Sequence, residues 1–482
     1  MNYLTKLITL NFISLLLSID GFSGALIPIG SDEFDFLYET FERKETQAPT
    51  AFDYQLAPYL STNNRFNHSP LSFLGNDRKD KMNLFIIGNE NFSSEEHSRS
   101  TAYESIRGGI TLSPFNNIFV YSNFSLDQEK VKDSSYTGKK WRGLAGGMEQ
   151  SFLMYHSNIV DITIGRFKSF WGIQKSLVLS GSNALDGLSY NIRWGKIVLS
   201  YRLAKLNQVN NFLDSNLIEN RYFAGHRLDL HINDRLRIGL FETVIYGGSG
   251  RSIEFNYLNP ILFFHADQLN DDVNDNTFLG FDFTYFPIRG LKLYGQFLVD
   301  DYQLDKKSQG DQEPNEYAFI IGGYLAKMSS SYDFRVEYVR VTNRTYNQVL
   351  ERNQYLYKGT SIAFFNNNDF DQVRLKIAKW INPFLKVGFN YFYTRQGEGK
   401  ILDEWTQPWL AVQGNYQEPF PTGIVEKQHK ISSQLKGFFV NHFFLDFEVG
   451  IMFLKNMRHI EFENTSLKFG RFSLSTYFST II

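Results

Sequence analysis

The chain reads as all-β, a closed antiparallel transmembrane β-barrel of about eighteen strands with a short helical and irregular segment at its periplasmic mouth. Three observations predict this. A secretory signal opens the sequence, apolar residues recur at period two from Met82 onward, and the links between the resulting strands alternate between short and long.

The signal comes first. Lys6 supplies a positive n-region, Leu7 to Ile19 form an apolar run closed by Asp20, and Ser23, Gly24 and Ala25 put small residues at a cleavage site. Residues 1–25 are therefore expected to be removed after Ala25. No later stretch reaches the ~20 apolar residues of a membrane helix. A mature chain that enters a membrane must do so as strands. Residues 26–81 form a second unit. Ser31 and Asp32 can cap a helix, Glu33 lies in its first turn, and Phe34, Leu37 and Phe41 recur at helical spacing up to Arg43. Polar, irregular sequence follows to Lys81.

Residues 82–482 carry the barrel pattern. Leu385, Val387, Phe389, Tyr391 and Tyr393 alternate with Lys386, Gly388, Asn390, Phe392 and Thr394, and Phe443, Leu445, Phe447, Val449, Ile451 and Phe453 do the same. A half-buried sheet of a soluble protein would alternate too, so the links decide. Ser113–Asn116, His156–Ser157, Gly195–Lys196, Asn233–Arg235, Pro287–Arg289, Met328–Ser331, Ile381–Pro383 and Val440–Asn441 are short. Tyr246–Asn276, Arg344–Phe370 and Gln396–Glu426 are long. Tight turns on one rim and long loops on the other mark an outer-membrane barrel. The underlying reason is backbone satisfaction: an unpaired N–H or C=O in hydrocarbon costs several kcal/mol, so a sheet enters lipid only when closed.

Tyr121, Tyr155, Tyr201, Tyr285, Tyr391 and Tyr393 are expected in interfacial girdles. Arg227, Asp229, Lys292, Arg335, Glu337, Arg374, Lys376, Asp446 and Glu448 are expected on inward faces, pairing across strands or facing a polar ligand. The last strand ends in Ile482 rather than an aromatic residue. Composition agrees: aromatics are 16 % of the chain, yet mean hydropathy is −0.30, because only alternate strand residues meet lipid. A net charge of −2 offers no basic field for nucleic acid, and the absence of cysteine excludes thiolate catalysis and Cys-based metal sites.

Two loops hold the candidate binding residues. Gln396–Glu426 contains Trp405, Trp409 and Tyr416 beside Asp403, Glu404 and Glu418; aromatic faces beside carboxylates suit the C–H faces and hydroxyls of sugars, or else form the loop's own small core. The long link after Tyr246 contains Tyr257, Asn259 and Pro260, then His265, Asp267 and Gln268. Asn-Pro initiates a turn, while His265 and Asp267 can face ligand or tie loop to wall. Two such residues fall short of a metal site. No G-x-S-x-G elbow marks a nucleophile, so neither catalytic residues nor a cofactor are expected.

The stretch "AGHRLDLHI … ETVIYGG … YLNPILFFHADQLNDDVNDNTFLGFD … LYGQFLVDD" between Ala224 and Asp301 resembles the capsule assembly Wzi family of outer-membrane proteins. So do "IGRFKSFWGIQKSLVLS" at Ile164–Ser180, "VEYVRVTNRTY" at Val336–Tyr346, "GTSIAFFNNNDFDQ" at Gly359–Gln372 and "LIPIGSDEFDFLYE" near the N-terminus. The resemblance implies an eighteen-stranded barrel in the bacterial outer membrane, with a helical segment at its periplasmic mouth. It also implies a lectin-like, non-enzymatic role in holding capsular or other surface polysaccharide. The expected partners are extracellular or capsular polysaccharide and outer-membrane lipid, with the chain a monomer. The alternative on the same barrel is a porin or a channel for oligosaccharides or small polar solutes, and an open lumen separates the two.

Overall fold

The computed structural model describes Phe36, Glu39 and Arg43, and residues 81–481 apart from 97–99, 116, 134–135, 137, 174, 212–215, 272, 304–307, 309–311, 328–330, 366 and 441–442. The expected signal peptide lies outside the described residues, as do Phe34, Leu37 and Phe41 of the expected helix.

Eighteen long strands form the wall. They are β1 (Lys81–Glu95), β2 (Thr101–Phe115), β3 (Ile118–Asp127), β4 (Leu144–His156), β5 (Val160–Phe167) and β6 (Leu185–Trp194). Next come β7 (Ile197–Lys205), β8 (Ile218–Asn233), β9 (Leu236–Gly248), β10 (Asn276–Ile288), β11 (Leu291–Asp301) and β12 (Glu316–Lys327). The remainder are β13 (Tyr332–Val341), β14 (Phe370–Asn382), β15 (Leu385–Gln396), β16 (Glu426–Val440), β17 (Phe443–Lys455) and β18 (Asn464–Ile481). Each pairs antiparallel with its sequence neighbours, and β18 closes on β1 in a register running from Asn83↔Ile481 to Glu95↔Phe469. Closure leaves no hydrogen-bonding edge for lipid. The eight short links overlap the expected turns, displaced by one to three residues at several of them, and both barrel ends lie on their rim, the periplasmic one in such barrels.

Alternation sorts the two faces as expected. On β17, Phe447, Val449 and Phe453 are exposed on the outside, while Asp446 and Glu448 point inward and pair with Lys436 and Lys430 at 3.2 Å each. Inward charges pair on other strands too: Arg374 meets Glu337 at 2.8 Å. Two strands depart from the girdle expectation. Tyr121 points inward and is buried against Phe85 and Phe152. Tyr201 points outward but is buried beneath the link that follows β9.

Part of the lumen is filled by the chain itself. The link between β5 and β6 turns inward, burying Trp171, Leu177, Val178 and Leu179. Trp171 sits on the wall at Gly225, where a Cβ would come within 2.8 Å of its ring; only glycine lets the loop approach so closely. The wall's Gln296 accepts the Leu177 N–H at 2.6 Å. The link between β13 and β14 folds in over it: Tyr346 donates to the Leu177 carbonyl at 2.6 Å and Tyr355 to that of Val178 at 2.8 Å. With Phe223, Phe241, Phe278, Leu298 and Val339 of the wall, these residues make one continuous core inside the barrel. Below it, towards the short turns, Arg227 and Arg237 interlock with Asp229 and Asp282, all four fully buried. At the periplasmic mouth Phe36 is buried among Trp380, Phe438 and Phe444, with Arg43 on Asp333 at 2.9 Å and Glu39 on Lys386.

Candidate functional site

On the long-loop rim, the links 302–315, 342–369 and 397–425 converge around Arg344. Its guanidinium lies 4.8 Å from the centre of the Trp409 ring and 5.1 Å from that of Trp405. It donates to the Thr406 carbonyl at 2.8 Å and to Glu418 at 3.3 Å. An arginine between two indoles gains cation–π attraction while keeping its planar donors in use. Tyr416 packs on Trp409 at 6.4 Å, and its N–H donates to Gln312 at 3.3 Å. Asp369 fastens the outer loop: its carboxylate accepts from the N–H groups of Thr422 and Gly399 and from the Thr422 hydroxyl. Burial pushes the Asp369 carboxyl upward, and the phenol of Tyr416 moves the same way through burial and the neighbouring Glu418.

The structure therefore brings Trp405, Trp409, Tyr416 and Glu418 together. Trp409 is 1 % exposed, so it supports the loop from below and has no face to offer a ligand. Trp405 and Tyr416 are half-buried, and Asp403 and Glu404 are exposed beside them. Asp403 also accepts the Lys400 N–H at 2.8 Å, which shapes the turn. Arg344, Asp369 and Gln312 lack any local sequence signal, since each acts on residues more than fifty positions away.

Tyr257, His265 and Asp267 do not join this cluster. Their link, 249–275, folds back over the outside of the wall as a lap containing helix α1 (Phe264–Asp271). Tyr257 is fully buried between Tyr246 and Phe264, so it cannot contact a glycan. Its carbonyl accepts from the outward Tyr201 hydroxyl at 2.5 Å, and its own hydroxyl donates to Asp275 at 2.7 Å. His265 contacts Thr277 at 3.1 Å and Asp267 accepts from Asn256 at 2.7 Å, both internal ties. Glu242, pointing outward from mid-strand, accepts the N–H groups of Phe264 and His265 at 2.9 and 2.8 Å and so caps α1. His226 stands 3.3 Å from the same carboxylate. Among the described residues no group of three or more His, Asp or Glu could hold a metal ion.

An apolar-belted closed barrel with segregated turns and loops defines a transmembrane protein of the outer-membrane class. Within that class, residues 136–457 match the model of the capsule assembly protein Wzi family, and the chain belongs to that family. Its role is capsule-related and its place the outer membrane. Among solved structures it is similar to Wzi of Escherichia coli, described as a carbohydrate-binding β-barrel involved in group 1 capsule assembly. That match has 13 % identity and a TM-score of 0.59, covering 95 % of this chain and 99 % of that one. Pseudomonas aeruginosa OccK3 follows at 13 % identity and a TM-score of 0.48, covering 85 % of this chain and 98 % of that one. Acinetobacter baumannii OccAB2 has 10 % identity and a TM-score of 0.48, covering 83 % and 98 %. No curated protein sequence matches the chain.

Proposed function

We propose that this barrel binds surface polysaccharide on its extracellular loops and keeps it attached to the cell, without catalysis. The observation that carries the reading is the filling of the barrel interior among the described residues: two inward-folded links and a neutral four-residue charge network take up space along the β7 to β14 side that a wide conduit would use. That favours a binding surface over the alternative of a solute channel. Trp405 and Tyr416, with Asp403 and Glu404 at their edge, are the groups we assign to glycan contact; Arg344 and Trp409 hold them from beneath. Sugar C–H faces stack on aromatic rings while carboxylates take hydroxyl donors. The E. coli relative's description as carbohydrate-binding points the same way. Export with loss of residues 1–25, a plug formed by residues 26–81, and a monomeric state complete the reading.

The test compares cell-attached polysaccharide in a deletion strain complemented with the parent or with Trp405→Ala/Tyr416→Ala. The reading expects loss on deletion and weak rescue by the variant, whose barrel should still fold. Unchanged attachment after deletion removes the reading, and large stable conductance in planar bilayers would install the channel instead.

A further inference from the structure

The outer face of the lap lies where lipid should be. On β17 the outward row from Phe443 to Phe453 spans ten residue steps, about 25 Å along the membrane normal at a strand tilt near 40°, which matches an outer-membrane apolar band. On β9 the freely exposed apolar row stops at Leu240, because the next outward residues, Glu242, Val244 and Tyr246, lie buried under the lap. Leu236 to Leu240 covers only about 10 Å. About 15 Å of band on this side must be supplied by something other than the wall.

The lap is built to supply it. Its ends are locked by Arg251, which bonds Glu254 at 2.7 Å, Asp275 at 2.5 and 3.0 Å and the Gly247 carbonyl at 3.1 Å. Several of its backbone turns close on themselves, Leu258 on Phe255, Asn259 on Asn256 and Leu262 on Asn259, and Glu242 accepts two further N–H groups, which lowers the cost of a low-dielectric setting. Its most exposed large side chains are apolar: Phe255 is 88 % exposed and Ile261 84 %, with Ile253 and Phe263 about half exposed. Below it an open groove of about 580 Å³ runs along the wall between Ile261 and Phe263 of the lap and Leu199, Leu228 and Leu240 of the strands. The polar exposed residues of the lap, Asn259, His265 and Asn270, suit the headgroup boundary.

We propose that Ile253, Phe255, Ile261 and Phe263 insert among the acyl chains of the outer leaflet, so that the lap completes the hydrophobic band that the wall leaves short, with a chain lying in the groove beneath. The occupant is lipid rather than a second copy because the patch continues the lipid-facing surface of β7 to β10 without a break.

The absence of cysteine makes the test direct. Phe255→Cys and Ile261→Cys, both at exposed positions, would be spin-labelled and reconstituted in phosphatidylcholine vesicles, with Leu240→Cys and Ala411→Cys as wall and loop references. The ratio of collisions with oxygen to collisions with a water-soluble nickel chelate reads depth. The proposal expects both lap sites to match Leu240, with a ratio at least several-fold above that at Ala411. Ratios equal to Ala411 would overturn it, and so would exclusion of both reagents, which marks a protein contact.

Discussion

Removing Arg227 should unsettle the barrel interior more than any surface change. Its guanidinium donates to both oxygens of Asp229 at 2.8 and 2.9 Å and to both of Asp282, while Arg237 reaches the same two carboxylates at 2.7 Å each and Thr284 at 3.0 Å. Two arginines and two aspartates, all without solvent contact, sum to zero charge. Arg227→Met keeps the unbranched apolar stem and leaves one uncompensated buried carboxylate, a class of change that costs about 3–5 kcal/mol. Arg227→Met/Asp229→Asn restores neutrality around the surviving Arg237–Asp282 pair and should be more stable than the sum of its parts by at least about 1 kcal/mol. Denaturant unfolding of the refolded protein in lipid, followed by the mobility shift of the folded barrel on gels, measures both. A loss below about 0.5 kcal/mol for the single variant, or strict additivity in the cycle, would refute the charge-compensation argument. Gly239→Ala is an independent check, since its Cβ would stand 1.9 Å from the Arg227 guanidinium.

Trp409→Ala should cost about 3–5 kcal/mol locally by emptying the loop core, seen as faster amide exchange across 397–425 with the barrel's unfolding unchanged; slow exchange there would contradict the packing described. Glu313, in the link 302–315, has its carboxyl pushed up to about 7, first by burial and then by Asp301, against the pull of Arg344. A raised carboxyl favours the folded loop while protonated, so its stabilisation is complete below the ordinary 4.5 and is lost as pH rises through about 7. Exchange in the loop cluster, corrected for intrinsic rates, should therefore quicken between about pH 4.5 and about pH 7 and level off above that, and Glu313→Gln should flatten the profile; an equally steep profile in the variant would assign the effect elsewhere. Glu242→Ala removes the cap of α1 and both its N–H acceptors, worth about 1–2 kcal/mol, and should open the lap to proteolysis between Ser252 and Phe263 while the wall remains intact.

The candidate site was only partly legible. Trp405, Trp409 and Tyr416 share one loop, and aromatic residues beside carboxylates in a long link point to a cluster. Their organiser, Arg344, comes from another loop, and nothing local distinguishes it from other loop arginines. Tyr257, His265 and Asp267 carry similar residue types, yet they serve the lap on the outer wall. Loop sequences are apolar at some positions whether they turn into the lumen, as 168–184 does, or over the outside, as 249–275 does.

Strand positions, tight turns and the inward side of charges such as Arg227, Glu337, Arg374 and Glu448 were determined by sequence alone, because period two and turn chemistry are local properties and a one-residue slip would put those charges into lipid. Tertiary structure decided what fills the barrel and what covers it. Tyr121 and Tyr201 are the same residue type in similar alternating rows, and one packs in the lumen while the other lies beneath a lap. That difference arises only after closure, when links of unequal length find the one face of the wall that leaves room for their apolar side chains: inward at Gly225, outward above Glu242.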